Sequence, residues 1–257
     1  MTRYGFEHEK PERLAGIEAT WDPGTRALLD RLGLRAGMRC LEAGAGGGSI
    51  AVWMAERVGP DGSVLATDLD TAHLEPLAGG VLEVRRHDLV RDDLPAGSFD
   101  VVHGRSVVSW LGATDALARL VAAVAPGGLL LVEDFDWAVG GPADGAPAVA
   151  KAYDAILTVI ESVGYDRYFG RTLLAQLEEA GLEDTGAEGR AHVVHGGSPG
   201  TAFDRFSLLA QRSALVGSGA LTEAELEEAL RYLDDPERHV LTPVLYSAWG
   251  SRAVATT

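Results

Sequence analysis

The stretch Cys40-Leu41-Glu42-Ala43-Gly44-Ala45-Gly46-Gly47-Gly48-Ser49-Ile50 constrains the fold more than any other. A short apolar run leads into it, and a helical pattern from Ile50 to Val58 follows. A strand that turns through glycines into a helix leaves unpaired backbone N–H groups pointing at one spot. Glycine lacks a Cβ, so it accepts positive φ and lets a ligand approach the backbone. The turn therefore reads as the ligand loop of a nucleotide-type sheet.

The segments after it fit that reading. Short β-branched runs expected to be strands span Arg39–Ala43, Ser63–Thr67, Val81–Arg86, Phe99–His103 and Leu129–Glu133, with helical patterns between them. Such alternation specifies an α/β, doubly wound parallel sheet. Further helices are expected at 148–163, 171–180, 201–216 and 222–233, and strands at Thr185–Val194 and Leu241–Trp249. Before the sheet, Leu14, Ile17 and Glu18 mark one helix. Trp21-Asp22-Pro23-Gly24 is read as a break, with Asp22 as N-cap and Pro23 at the first position of a second helix ending at Gly33. The expected layout is a helical N-terminal cap over residues 1–36 and a catalytic domain over 37–257, with lid helices at 146–180 and 201–233.

Composition narrows the partners. The net charge is −16, from 22 basic and 38 acidic residues. Such a surface repels phosphate backbones and anionic membranes, so neither nucleic acid nor lipid is an expected partner. No apolar stretch approaches the roughly 18 residues of a membrane span. Glu7, Glu9 and the lack of an early apolar run speak against a signal peptide, so a cytoplasmic protein is expected. The single cysteine, Cys40, is read as a small buried hydrophobe. No metal is expected, because His192 and His195 have no companions at ligand spacing.

Ligands of open α/β sheets bind beyond the carboxyl ends of the strands. Those ends carry Glu42, Asp68, Asp88, His103 with Arg105, and Glu133 with Asp134 and Asp136. Asp68 follows Gly46 by twenty-two residues, the placement of an acid that accepts hydrogen bonds from ribose hydroxyls. Asp88 is placed to accept from an exocyclic amine. A dinucleotide loop wants a third glycine where Ser49 stands, and Glu42 disfavours a pyrophosphate. A carboxylate suits the cationic methionine end of S-adenosylmethionine (SAM).

On these motifs the chain resembles the class I SAM-dependent methyltransferases, in particular the UbiE-like small-molecule group. The matching pieces are Leu41–Gly48, Val64–Asp70, His87-Asp88-Leu89, Phe99–His103 and Ala125–Glu133. The resemblance implies a Rossmann-like sheet of seven strands, order 3-2-1-4-5-7-6, with strand seven antiparallel. It implies Glu42, Gly44 and Gly46 near the methionine moiety, Asp68 on the ribose, Asp88 near adenine, and Leu69 and Leu89 flanking the adenine ring. His103 and Arg105 are expected beside the cofactor, and Tyr4 and Arg13 are placed over its carboxylate. The family often joins its last two strands by a hairpin; here about fifty residues with two helices intervene, which suggests a lid.

The implied activity is methyl transfer to the O, N or C atom of a small molecule, natural products included. A SAM-binding protein that does not methylate and an NAD(P)-dependent oxidoreductase are the alternatives. His103, at the site mouth, is the candidate base, with His8, Asp134, Asp136, Tyr165 and His195 behind it. Trp53 and Trp110 read as packing residues. A homodimer is compatible with the sequence and not specified by it.

Overall fold

The computed structural model describes residues 11–111 and 113–254. Two compact units divide the chain. One, the sheet unit, comprises residues 22–135, 169–189 and 245–257; the other, the helical unit, comprises 1–21, 136–168 and 190–244.

In chain order the elements are α1 (Pro11–Arg31), β1 (Arg39–Ala43), α2 (Ser49–Val58), β2 (Ser63–Asp68), β3 (Leu82–Arg86), β4 (Phe99–Arg105), α3 (Ala113–Ala123), β5 (Val124–Asp136), β6 (Gly141–Pro142), α4 (Pro147–Glu161), α5 (Leu173–Glu179), β7 (Glu183–Arg190), β8 (Val193–His195), α6 (Pro199–Ala210), α7 (Arg212–Gly217), α8 (Glu223–Asp234), β9 (His239–Leu241) and β10 (Val244–Ser251).

The sheet unit holds a seven-stranded sheet in the order β3-β2-β1-β4-β5-β10-β7. β1 pairs in parallel with β2 and β4, β2 with β3, and β4 with β5. At the start of β5 Gly127 N donates to Arg252 O, just past the end of β10, and Arg252 N donates to Gly128 O. Beginning therefore meets end, and β10 runs antiparallel to β5. Counting only the strands of this sheet, the order is the expected 3-2-1-4-5-7-6.

Apolar side chains bury both faces. Cys40, Val64, Ala66 and Val101 pack on Met54 and Val58 of α2 and on Leu28 and Leu29 of α1. Leu41, Leu65, Val102 and Leu130 pack with Leu117 and Leu120 of α3 and Leu173 and Leu177 of α5. This double burial explains why the strands read as continuous apolar runs.

Four expectations need correction. First, α1 does not break at Trp21–Gly24; it runs through Pro23. Asp22 is no cap. Its carboxylate pairs with Arg26 one turn on and with Arg105, while Thr25, Leu28 and Leu29 are fully buried. Burial and ion pairing outweigh the one backbone bond that proline removes. Second, the strand expected over Thr185–Val194 is two: β7 stays in the main sheet, and β8 pairs with β9 in a three-stranded sheet of the helical unit, β6-β9-β8. Third, the strand expected over Leu241–Trp249 divides at Thr242-Pro243 into β9 and β10. Proline donates no ladder bond, and the Thr242 hydroxyl accepts from His192 N at 2.9 Å. The helix expected over 201–216 likewise bends at Gln211 into α6 and α7.

The helical unit has its own core, in which Val149, Ala152 and Tyr153 of α4 meet Leu226, Ala229, Leu230 and Leu233 of α8 and Leu208 of α6. Thr222 and Glu225 cap α8 reciprocally, as the Thr-x-x-Glu pattern specifies.

Candidate functional site

β1 ends at Ala43, and the chain turns through glycines that adopt left-handed φ: +68° at Gly44, +55° at Gly46 and +86° at Gly48. A Cβ on Gly44 would lie 2.1 Å from a Val107 methyl. Only glycine fits there. Gly44 N and Ala45 N both donate to Thr67 O, which ties the loop to the end of β2. Gly46 N donates to Asp68 Oδ2 at 2.9 Å, and Asp70 N to Asp68 Oδ1 at 3.1 Å. Burial raises the Asp68 pKa, with these backbone donors acting against it. Each oxygen keeps a further lone pair, so a half-buried carboxylate stands over the loop with acceptor capacity left.

Asp88 follows β3. Its Oδ1 accepts from Val90 N at 3.0 Å, and its own N–H donates to Asp92. It shapes a turn as well as standing at a strand end. Leu69 is half-buried beside Asp68, while Leu89 packs into the core around β4 and α3. His87, between β3 and Asp88, was part of the quoted motif but was given no role of its own. It is buried with hydrogen-bond partners on neither ring nitrogen.

The structure gives His103 a place other than the expected site mouth. The ring is fully buried, with Nδ1 2.6 Å from Glu42 Oε2 and Nε2 3.2 Å from Glu133 Oε2. Burial alone would lower its pKa; the charges and hydrogen bonds of Glu42 and Glu133 together overcome this and raise it to about 9. At neutral pH it is an imidazolium donating from both nitrogens, which leaves no nitrogen to take a proton from an acceptor. Glu133 also accepts from Thr25 Oγ1 and Ser247 Oγ, each at 2.5 Å. Arg105 donates to Thr25 Oγ1 at 3.2 Å and to Asp22 Oδ1 at 2.8 Å. A connected buried network, Glu42–His103–Glu133–Thr25–Arg105–Asp22, thus underlies the glycine loop. It unites Glu42, His103 and Arg105, which had been read as separate cofactor contacts.

The remaining candidates lie elsewhere. Asp134 accepts from the backbone N–H and hydroxyl of Ser109, and Asp136 from Ala138 N. Ser106, just past β4, holds a left-handed φ of +56°, unusual for a residue with a side chain. Arg13 belongs to the helical unit, where its Nε donates to Ser207 Oγ at 2.9 Å. Tyr165 lies in that unit as well and accepts from Trp137 Nε1 at 3.0 Å. His195 is exposed and meets His239 ring to ring at 4.5 Å. Tyr4 and His8 fall outside the described residues. Cys40 is buried, and burial raises its thiol pKa to about 12, so it is inert at neutral pH.

A family model described as a methyltransferase domain matches residues 10–186. The chain belongs to this methyltransferase family. It is 36% identical over 142 residues to Methyltransferase str2 of Strobilurus tenacellus, a match that covers 54% of this chain and 51% of that one. With Methyltransferase str3 of the same organism the identity is 33% over 185 residues, covering 67% and 66%. The chain thus matches half to two thirds of the length of these relatives. Among solved structures, Haemonchus contortus phosphoethanolamine N-methyltransferase 2 in complex with S-adenosyl-L-methionine has the same fold, with a TM-score of 0.56 at 17% identity over 90% of this chain and 53% of that one. Among the described residues, no helix is long and apolar enough to cross a membrane.

Proposed function

We propose that this protein is a SAM-dependent methyltransferase acting on a small molecule. The observation that carries the reading is the glycine turn with Asp68 behind it, in a chain of the methyltransferase family. The turn fits SAM. A Cβ at Gly44 would fill the loop, the loop's left-handed glycines expose backbone, and Glu42 makes the neighbourhood unsuitable for a pyrophosphate. Bound SAM would supply a methyl group already activated on a sulfonium.

The chain's own residues bind and orient. Asp68 accepts from the ribose hydroxyls, Asp88 and Leu69 form the adenine end, and Gly44 and Gly46 border the methionine end. Glu42 contributes negative charge near the sulfonium and ammonium. The network through His103 and Arg105 acts one layer behind, fixing the orientation of Glu42. Orientation of this kind contributes roughly 7–11 kcal/mol in well-aligned reactions. Small-molecule substrates agree with the negative surface, as does cytoplasmic action. A homodimer remains part of the proposal and is read by analytical ultracentrifugation.

Calorimetry with SAM, S-adenosylhomocysteine and NADH tests the assignment. Binding of the first two, lost in Asp68→Ala, is the expected result. Binding of NADH alone would overturn it.

A further inference from the structure

The three-stranded sheet of the helical unit brings together two histidines that the sequence keeps apart. β8 is an edge strand of that sheet and runs antiparallel to β9, with His195 opposite His239. Thr242 N donates to His192 O at one end of the ladder, and Gly196 N donates to Arg238 O at the other. Bonded and non-bonded pairs alternate along an antiparallel ladder, so counting inward from both ends makes His195–His239 a non-bonded pair. In such pairs the Cα atoms stand about 4.5 Å apart and the side chains are at their closest. Both histidines are exposed, and their ring centroids lie 4.5 Å apart with the planes inclined at 53°.

Both backbones are also held from other sides. His195 O accepts from Ser198 Oγ at 2.5 Å. His239 O accepts from Ala143 N at 2.9 Å and from the Tyr232 hydroxyl at 3.0 Å. A Cβ on Gly196 would lie 2.1 Å from Asp235 O, so glycine is what lets the chain close up beside His195. The two side chains therefore leave a fixed backbone, while each ring turns about χ2, a broad torsion in histidine.

We propose that His195 and His239 form a binding site for a divalent late transition-metal ion, with Zn2+ and Cu2+ as its representatives. At a metal–nitrogen distance of about 2.1 Å, two imidazoles on one ion have centroids about 4.5 Å apart at a right angle and about 5.2 Å apart at a tetrahedral angle. The observed 4.5 Å meets the first arrangement, and a small ring rotation reaches the second. Imidazole suits copper, nickel and zinc, whereas Mg2+ and Ca2+ take oxygen ligands. The charge of −16 favours cations at the surface. Arg238, next to His239, is answered by Asp144 at 3.0 Å and Asp235 at 3.4 Å. Two protein ligands leave the ion's other positions to water or a small ligand. The ion fastens the edge strand β8 to β9 and ties off the segment that carries α6, α7 and α8. A tie across a long loop removes entropy from the unfolded chain. The site lies within the helical unit and stands independently of the methyl-donor assignment.

Calorimetry with ZnCl2 on the full chain, free of any affinity tag, tests the site. The wild-type protein should bind one ion at the pair. His195→Ala and His239→Ala should each weaken that binding at least about tenfold, because the second imidazole acts at the high effective concentration of an intramolecular partner. Both positions are exposed, and circular dichroism checks that the variants are folded. His192→Ala removes a histidine whose ring packs edge-on against Trp21 and should leave binding unchanged. MgCl2 should give no binding that depends on either histidine. With CuSO4, electron paramagnetic resonance should show coupling to two imidazole nitrogens in the wild type and to one in either variant. Zn2+ should raise the wild-type Tm and leave that of the two variants unchanged. Absence of Zn2+ binding, binding untouched by both variants, or a Cu2+ spectrum without two nitrogens would overturn the inference.

Discussion

The two units handle buried charge in opposite ways. In the sheet unit, Glu42, His103, Glu133, Thr25, Arg105 and Asp22 form a chain in which each member has a partner. In the helical unit, Arg13, Asp204 and Tyr153 share a buried space in which one hydroxyl has no bond and one carboxyl ionises near neutrality. Satisfied networks rigidify their surroundings, whereas an unsatisfied one costs stability in a low-dielectric interior. The first pattern suits a frame that holds a ligand loop still. The second leaves a buried carboxyl whose ionisation costs stability.

The contrast is broken most forcefully at His103. Replacing it by leucine leaves Glu42 and Glu133 facing each other without a cation. The expected loss is about 3–5 kcal/mol at pH 7, as for other buried pairs stripped of one partner, measured by urea unfolding. A loss below about 1 kcal/mol would show that the network is not the frame described here. The pH dependence carries the same information. The folded pKa of about 9 lies above the ordinary histidine value of 6.5, so the stabilisation is complete below pH 6.5 and disappears as pH rises through 9. The window is worth on the order of 3 kcal/mol, and the leucine variant should not show it.

Gly44→Ala comes next. Its φ of +68° penalises any side chain, and the new methyl meets Val107. Backbone strain of about 1–2 kcal/mol and overpacking of about 1–3 kcal/mol should lower stability and weaken SAM binding together. If thermal unfolding were unchanged, the rigid-loop half of the comparison would fail.

How far each region can be read in the sequence follows from the distance between its parts. The strands, the glycine turn and Asp68 are legible because a strand end, a turn and the next strand end lie within about thirty residues and obey local rules of φ and pattern. The partners of His103 are not. Glu42 and Glu133 lie 61 and 30 residues away, and their meeting depends on the sheet register that sets Glu42 opposite His103. The helical unit is less legible still. Arg13 reaches Ser207 across 194 residues, through a unit built from three separate segments. Pro23 shows the converse, a strong local break signal overruled by Asp22, Arg26 and Arg105.

Asp204→Asn tests the other half of the contrast, with the opposite sign. Its folded pKa of about 7 exceeds the ordinary aspartate value of 3.8. The folded state therefore favours the protonated acid, and stability falls as pH rises from 3.8 through 7. Asparagine cannot ionise, so the variant should gain on wild type by about 2–3 kcal/mol at pH 8, the full shift being reduced by the loss of a counter-charge for Arg13. Near pH 4 the two proteins should be nearly equal. A variant less stable than wild type at pH 8 would show that Asp204 serves the fold.

The smallest effect is the most specific. Tyr153→Phe removes only a hydroxyl that is buried and unbonded. Deleting an unsatisfied polar atom while keeping the ring should raise stability by about 1 kcal/mol, a rare sign for a core substitution. The ring's packing against Trp137 is retained, so cavity formation does not offset the gain. The comparable change at a satisfied hydroxyl, Ser247→Ala, takes a donor from Glu133 and should cost stability. Chemical denaturation of the two variants, each missing a single oxygen, therefore compares the units directly. Opposite signs would separate a network built for stability from a cluster that gives some of it up, and equal losses would mean that the Tyr153 hydroxyl also serves the fold.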